Sequence, residues 1–300
     1  MTHIHIIYDV DGWAYHRRAL ALARYAPSDI RISFGRYSQL TQDACKADLV
    51  YLMAYGACDR VRAHIGPSGL LLCGFNVGAG YRRERFEFLA KHANHVLFNN
   101  CDNWDYHKRP PNTSWISNGV DLSLFCVQNT MESRGPRAIS TGSEYHFRHN
   151  DDLKGMNILR AIAPRLEESG IACDFRTVDS IHPAMTTDEM KNWYNTATVY
   201  VVASRCEGTP NPALEAAACG CTLAATRVGN MPELIEDGHN GILCERTKDS
   251  LYDAIVRASQ NYADYSGAMQ HSIAGWDWSI RSQQYYDLFY GLLSQHKRKR

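Results

Sequence analysis

Residues 204–220 read S-R-C-E-G-T-P-N-P-A-L-E-A-A-A-C-G and follow an apolar run at residues 199–203. The apolar run predicts a β-strand, and the two prolines are typical of the first turn of an α-helix, where a missing N–H leaves no hydrogen bond unmade. Thr209 or Asn211 is the expected N-cap. A helix that starts at the carboxyl end of a strand presents N–H donors and a partial positive charge. This stretch therefore predicts a phosphate-binding site.

The same stretch opens a longer pattern, S-x-x-E-G-x-P-x-x-x-L-E-A-x-A-x-G, followed by a glycine turn, P-E-x-I and D-G-x-N-G. The pattern resembles the signature of retaining family-4 glycosyltransferases with the GT-B fold. The matching residues are Ser204, Glu207, Gly208, Pro210, Leu214, Glu215, Ala216, Ala218, Gly220, Gly229, Pro232, Glu233, Ile235, Asp237, Gly238, Asn240 and Gly241. The chain departs from the pattern at Thr222, where the family usually has proline, and at Asn230, where it usually has a second glycine.

This resemblance implies an α/β protein with two Rossmann-like domains that face a central cleft. The expected divisions are an acceptor domain at 1–125, a linker at 126–136, a donor-binding domain at 137–275, and a crossover helix with a basic tail at 276–300 that returns to the first domain. Residues 118–125 read N-G-V-D-L-S-L-F and resemble the element that closes the first domain in the family.

Short apolar runs alternate with helical patterns along the chain, which predicts parallel sheets with helices on both faces. In the first domain the predicted strands are 4–9, 30–34, 49–53, 70–73, 96–99 and one that ends at Ser117, and the predicted helices are 13–25 and 81–92. In the second domain the predicted strands are 138–141, 173–178 and 199–203, and the predicted helices are 153–168 and 187–196.

The composition is that of a globular protein of 300 residues, of which 45% are hydrophobic. No apolar run is long enough to span a membrane, and the N-terminus reads as a strand, not a signal peptide. The ten cysteines are scattered without C-x-x-C pairs, which favours reduced thiols and a cytoplasmic location. Cys219 and Cys221 are close enough to chelate a metal, but no histidine cluster accompanies them.

The net charge is zero but unevenly distributed. Residues 1–125 hold 14 Lys and Arg against 11 Asp and Glu, a net charge of +3, and residues 276–300 hold 5 against 2, also +3. Two basic portions favour a polyanionic acceptor such as DNA, or peripheral contact with an anionic membrane. A basic chain end is more often simply solvated.

The resemblance assigns the donor, a nucleotide diphosphate sugar, mainly to the second domain. Glu215 is expected to accept hydrogen bonds from the ribose hydroxyls, and Glu207 from hydroxyls of the transferred sugar. The loop expected around the sugar and phosphate oxygens consists of Gly208, Thr209, Pro210 and Asn211. Except at the proline, which has no N–H, the backbone N–H groups of this loop are expected to bind those oxygens.

The family stabilises the leaving diphosphate with an arginine and a lysine in a G-R-(x)n-K-G element. In this chain Gly142, Lys154 and Gly155 match that element, but Ser143 stands where the arginine is expected. Arg148 is the candidate replacement. Lys154 and Arg148 are therefore predicted, with Glu207, to be the catalytic residues, because charge that develops on the leaving phosphate must be stabilised.

In the first domain, Gly12 follows the first strand, where the family uses a glycine-rich loop beside the diphosphate. Asp11, His16 and Asn76 are the candidates for the acceptor or sugar side. Asp9-Val10-Asp11 mimics a D-x-D metal motif. The GT-B resemblance implies no metal and no cofactor, so we interpret this motif as unrelated to metal binding.

The resemblance implies a retaining hexosyltransferase that uses a UDP-sugar as co-substrate and a glycan or lipid-linked glycan as acceptor. Three alternatives stay open: a DNA-modifying glycosyltransferase that acts on a hydroxylated base, a non-catalytic nucleotide-sugar-binding module, and an epimerase or phosphorylase on the same fold. The first predicts acceptor affinity that falls steeply with salt. The second predicts nucleotide binding without sugar transfer.

Overall fold

The computed structural model describes residues 1–53, 55–75, 83–129, 133–143, 152–178 and 185–298. The chain divides into two compact units, one formed by Met1–Gly119 with Trp278–Arg300 and the other by Val120–Asp277. Each unit is built on one parallel sheet with helices packed against it. The predicted α/β class with two Rossmann-like domains is confirmed.

The first unit contains a six-stranded sheet in the order β2-β1-β3-β4-β5-β6. Its strands are β1 Thr2–Tyr8, β2 Ile30–Arg36, β3 Leu49–Leu52, β4 Leu71–Phe75, β5 His95–Phe98 and β6 Thr113–Trp115. Its helices are α1 Ala14–Arg24, α2 Gln42–Lys46, α3 Cys58–Ile65, α4 Arg83–His92, α5 Cys101–Tyr106 and α12 Trp278–Arg298, with a 3-10 turn at Tyr55–Ala57. The chain passes from β1 to β2 on one side and to β3 on the other, so the order reverses at β1.

The last helix, α12, belongs to the first unit, as predicted for the crossover helix. Its aromatic side chains Tyr285, Tyr286 and Phe289 are fully buried in one core with Tyr51 of β3. The Tyr286 hydroxyl donates to the carbonyl of Leu22 at 2.5 Å. The aromatic spacing of this helix therefore serves packing, since buried aromatic rings contribute large apolar areas to a core.

The second unit contains a five-stranded sheet in the order β11-β10-β9-β7-β8. Its strands are β7 Arg137–Ser143, β8 Ala172–Val178, β9 Val199–Val202, β10 Thr222–Thr226 and β11 Gly241–Cys244. Its helices are α6 Met156–Glu168, α7 Thr187–Tyr194, α8 Asn211–Ala218, α9 Met231–Leu234, α10 Lys248–Gln260 and α11 Tyr262–Ala274. The central strand β9 is buried along its whole length, as its unbroken apolar sequence indicates.

The boundary between the units differs from the predicted one. The predicted first domain ended at residue 125, whereas Val120 and Phe125 pack into the core of the second unit. The segment 126–136, predicted as a linker, also lies within the second unit. Its Arg134 is buried and donates to the carbonyl of Ala197, in the turn after α7, and to that of Cys219, which follows the last residue of α8.

Among the described residues, no helix has both the length and the apolar character that crossing a bilayer requires.

Candidate active site

The second sheet has a topological reversal between β7 and β9. These strands are neighbours, although the chain visits β8 between them. Open parallel sheets bind ligands outside the carboxyl ends of their strands at such a reversal. The segment between β7 and α6 carries Lys154, and the loop after β9 carries Glu207. Two residues predicted to be catalytic therefore meet at the place where the fold favours a ligand.

Lys154 and Glu207 form an ion pair. The Lys154 Nζ lies 2.5 Å from the Glu207 Oε1, and the two side chains are 25% and 10% exposed. The Ser204 hydroxyl donates to the same Oε1 at 2.6 Å. The lysine and the hydroxyl therefore hold the carboxylate in one orientation, in a partly buried position where solvent screens the charges less than at the surface.

A glycine allows the loop that carries Glu207 to pack closely against the turn that follows β10. Gly229 has a φ of +56°, and a Cβ there would lie 2.4 Å from the Gly208 carbonyl oxygen and 3.1 Å from the Glu207 Cβ. Asn230, which stands where the family usually has glycine, is buried and directs its amide towards the Thr209 hydroxyl at 3.5 Å. The glycine turn of the motif therefore packs directly against the Glu207 loop.

A second glycine contact joins the Lys154 turn to the end of β9. Gly155 has a φ of +74°, and a Cβ there would lie 2.2 Å from the Ala203 carbonyl oxygen. The Arg205 N–H donates to the Leu153 carbonyl at 2.8 Å. Gly142 allows a similar approach, since its Cβ would lie 3.2 Å from the Lys154 Cβ. Gly142 is therefore adjacent to Lys154.

Helix α8 begins after this loop, with Pro210 at its N-cap and Pro212 in its first turn. The predicted N-cap, Thr209 or Asn211, was wrong. Pro210 takes the N-cap position and no side chain forms a capping hydrogen bond at this helix, which lies wholly within the described residues. The first turn therefore depends on backbone geometry, and proline stabilises it by its restricted φ.

Glu215 lies in α8, and its Oε2 accepts a 2.9 Å hydrogen bond from the Tyr194 hydroxyl. Tyr194 is fully buried. Burial raises the pKa of the Tyr194 hydroxyl well above its ordinary value, and the nearby Glu215 charge raises it further. The hydroxyl therefore keeps its proton and acts as a donor that orients the carboxylate. The sequence carried no signal for this tyrosine beyond its place in an amphipathic helix.

Three of the predicted residues in the first unit form one cluster after β1. The Gly12 N–H donates to the His16 Nδ1 at 2.8 Å, and the His16 ring stacks on Tyr8 at a centroid distance of 4.6 Å. The Tyr8 hydroxyl donates to the Asp11 Oδ1 at 2.7 Å, and Arg36 lies 3.4 Å from the other oxygen of that carboxylate. Burial, and then the bond to Asp11, raises the pKa of Tyr8. The cluster lies at the reversal of the first sheet.

Two predicted site residues, Arg148 and Asn76, lie outside the described residues. Within the described ranges, no group of three or more His, Cys, Asp and Glu side chains is arranged to hold a metal ion. All ten cysteines are free thiols. Cys219 and Cys221 are buried, and burial raises the pKa of the Cys221 thiol to about 12. Both side chains pack in the hydrophobic core of the second unit.

Arg246, which the sequence did not single out, follows β11 and contacts both the turn before Lys154 and the end of β9. Its Nε donates to the Ala203 carbonyl at 2.9 Å, and its terminal nitrogen donates to the Asp152 carbonyl at 2.5 Å. The same nitrogen lies 3.6 Å from the Asp152 carboxylate. Arg246 belongs to no recognisable motif, so only its contacts identify it.

Residues 159–261 match the family described as glycosyl transferases group 1. A D-inositol 3-phosphate glycosyltransferase of Catenulispora acidiphila is 35% identical in an alignment of 104 positions that covers 33% of this chain and 25% of that protein. The chain thus spans about a quarter of the length of this curated relative.

Solved structures match nearly the whole chain. Sucrose-phosphate synthase from Thermosynechococcus elongatus has a TM-score of 0.75 at 14% identity, over 98% of this chain and 100% of that one. The Anabaena protein HepE, solved in complex with UDP and glucose, has a TM-score of 0.69 at 13% identity, over 97% and 100% of the two chains. The fold is GT-B. Residues 159–261, which lie in the second unit, are similar to the group 1 glycosyl transferases.

Proposed function

We propose that the protein is a retaining glycosyltransferase that transfers a hexose from a UDP-sugar to an acceptor hydroxyl on a glycan or lipid-linked glycan. The observation that carries the proposal is the contact between Lys154 and Glu207 at the reversal of the second sheet. A cation for a phosphate and a carboxylate for sugar hydroxyls are the two groups that a nucleotide diphosphate sugar requires at its reacting end.

In this proposal the donor lies at the carboxyl end of the second sheet. Glu215 accepts hydrogen bonds from the ribose hydroxyls, and Tyr194 holds the carboxylate in place for them. The start of α8 provides a partial positive charge beside the diphosphate. The structure of HepE with UDP and glucose supports uridine as the base, since that protein shares the fold of the whole chain.

The proposed reaction breaks the bond between the anomeric carbon and the oxygen of the distal phosphate, and forms a bond from the acceptor oxygen to the same face of that carbon. The proton of the acceptor hydroxyl passes to the leaving phosphate oxygen. On donor binding, Lys154 exchanges the Glu207 carboxylate for a phosphate oxygen, and Glu207 then accepts hydrogen bonds from the sugar. We propose that Lys154 stabilises the charge of the leaving diphosphate and that no metal ion is required.

A polyhydroxylated acceptor is favoured over a base in DNA. The relative from Catenulispora acidiphila is named for D-inositol 3-phosphate, a polyhydroxylated compound. In the first unit, the cluster of Asp11, His16 and Arg36 provides acceptors and donors of the kind that sugar hydroxyls bind. We propose this cluster as the acceptor side.

A thermal-shift panel of UDP, GDP, ADP and UDP-glucose tests donor binding. A ligand at 100 times its dissociation constant stabilises the folded state by about 2.7 kcal/mol. We expect stabilisation by UDP and UDP-glucose that is lost in Glu215→Gln and kept in Glu168→Gln. Glu168 is an exposed glutamate at the end of α6, so it controls for the loss of one charge. If none of the four nucleotides raises the melting temperature, the proposal is contradicted.

Transfer is then tested with radiolabelled UDP-glucose, offered with oligosaccharides and, separately, with DNA that contains a hydroxylated base. We expect a labelled oligosaccharide whose new linkage has the anomeric configuration of the donor. An inverted linkage would overturn the retaining mechanism. Labelled DNA would replace the proposed acceptor, and nucleotide binding without product in any mixture would identify a non-catalytic binding module.

A further inference from the structure

We propose that Arg246 is a positioning residue, which holds the Lys154 turn and the Glu207 loop in the register that their reaction requires. This inference rests on the proposed function, since it concerns the same two residues. The ion pair joins side chains from two different crossovers, so its geometry depends on how the two backbones are held together.

Close backbone contacts join the two segments. Gly155 packs against the Ala203 carbonyl, and the Arg205 N–H donates to the Leu153 carbonyl. The Ala203 carbonyl therefore lies at the junction, just before the loop that leads to Glu207. A shift of this junction by a fraction of an ångström would change the distance between Lys154 and Glu207.

Arg246 binds both sides of this junction from a third segment. Its Nε donates to the Ala203 carbonyl, the same group that Gly155 approaches, and its terminal nitrogen donates to the Asp152 carbonyl two residues before Lys154. Its side chain is 25% exposed and that of Asp152 is 14% exposed. Charge-assisted hydrogen bonds in such partly buried positions are stronger than exposed ones.

The Asp152 turn itself needs support. Asp152 has a φ of +55°, in the left-handed region that a non-glycine residue adopts at a cost. Its carboxylate accepts from the Asn157 N–H in the first turn of α6 at 3.1 Å and lies 3.6 Å from Arg246. Arg246 thus stabilises a strained turn that places Lys154, and the planar guanidinium serves two acceptors at once, which an ammonium group does less well.

A double-mutant cycle on nucleoside diphosphate affinity tests the inference. The probe is UDP, or GDP or ADP if the wild-type protein binds one of them instead. We expect Arg246→Gln to weaken binding about tenfold in the wild-type background and less than twofold in a Lys154→Met background. The second effect is smaller because the Lys154→Met protein has no ammonium group left to misplace. Arg246→Lys should recover part of the loss.

Arg165→Gln is the matched control, since Arg165 of α6 forms an exposed ion pair with Asp249 in the same unit. It should leave affinity unchanged in both backgrounds. Equal losses from Arg246→Gln in the two backgrounds would show a merely structural role and overturn the inference. If Arg246→Gln does not fold, the same cycle with Arg246→Lys decides between these two outcomes.

The failure of the proposed function looks different from the failure of this inference. If the wild-type protein binds none of the three nucleoside diphosphates, the proposed function fails and the inference falls with it. If the wild-type protein binds one of them, Lys154→Met weakens binding, and the effects of the two substitutions are additive, the inference alone is wrong.

Discussion

The Nζ of Lys154 lies 2.5 Å from the Oε1 of Glu207, although 53 positions separate the two residues in the chain. One comes from the segment between β7 and α6, and the other from the loop after β9. Their contact depends on the adjacency of β7 and β9 in the sheet. The two groups neutralise each other, and under the proposed function an anion that binds Lys154 would release the Glu207 carboxylate for hydroxyl donors.

Lys154→Met is expected to weaken UDP binding about 30-fold, equivalent to about 2 kcal/mol. The substitution removes the proposed contact to phosphate and leaves the Glu207 carboxylate without its partner, where it repels the anionic ligand. Isothermal titration calorimetry measures the change. Lys191→Met is the control, since Lys191 of α7 has a similarly low exposure and pairs with Asp188. Equal affinity of the wild-type protein and Lys154→Met would contradict a phosphate role.

Tyr194→Phe is expected to weaken UDP binding about fivefold and to lower the free energy of unfolding by about 1 kcal/mol, because Glu215 loses a buried donor. Tyr252→Phe removes an exposed hydroxyl contact to Ser169 and serves as the control. Calorimetry and urea denaturation give the two quantities. Unchanged affinity in Tyr194→Phe would mean that the hydroxyl does not orient Glu215 for ribose.

Gly155→Ala is expected to destabilise the second unit by at least ~2 kcal/mol more than Gly170→Ala, because its Cβ would collide with the Ala203 carbonyl as well as occupy a left-handed conformation. Gly170 has a φ of +80° with no atom within 4 Å of a built Cβ, so it isolates the conformational cost. Denaturant unfolding of both variants measures the difference. Similar losses in the two variants would show that the junction yields to the extra methyl group.

The first unit is expected to lose stability as the pH falls from about 6.5 towards 4. Burial, and then the charge of His3, lowers the pKa of His5 to about 4, and burial also lowers that of His95 to about 4. The unfolded chain binds protons near pH 6.5, so protonation favours unfolding below that pH. At pH 5, His5 alone accounts for roughly 2 kcal/mol.

Hydrogen exchange of β1 amides at pH 7.5 and 5 measures this effect, after correction for intrinsic exchange rates. His5→Asn should reduce the pH dependence, whereas His271→Asn, at an exposed histidine of α11 in the second unit, should leave it unchanged. Equal protection free energies at the two pH values would rule out a contribution from His5.

Much of the fold could be predicted from the sequence. The strands of the first sheet were predicted to within about two residues because they are apolar runs bounded by polar turns. The helix predicted at 153–168 begins at Met156 instead, since Asp152 and Gly155 adopt left-handed conformations in a turn. The helices Lys248–Gln260 and Tyr262–Ala274 were not assigned, although the buried residues Leu251, Ala254, Ile255 and Ala258 recur at helical spacing in the first of them.

Part of the site could also be predicted. One continuous motif contains Glu207, Glu215 and the start of α8, so their spacing could be recognised in the sequence. Tyr194, Asp152 and Arg246 could not be predicted as partners of these residues. Their roles follow from contacts that cross the sheet, and tyrosine, aspartate and arginine at such spacings are common on ordinary helix faces and turns.

The sequence by itself determined the α/β class, the position of the candidate site after β9 and the residue types found there, because each of these depends on local periodicity or on a short motif. Only the tertiary structure decided which side chains meet. Lys154 pairs with Glu207, and Arg246 reaches Asp152 across 94 positions of the chain. The physical reason is the order of the strands: parallel crossovers bring the carboxyl ends of β7 and β9 together, and a contact between side chains depends on distances that local sequence does not encode.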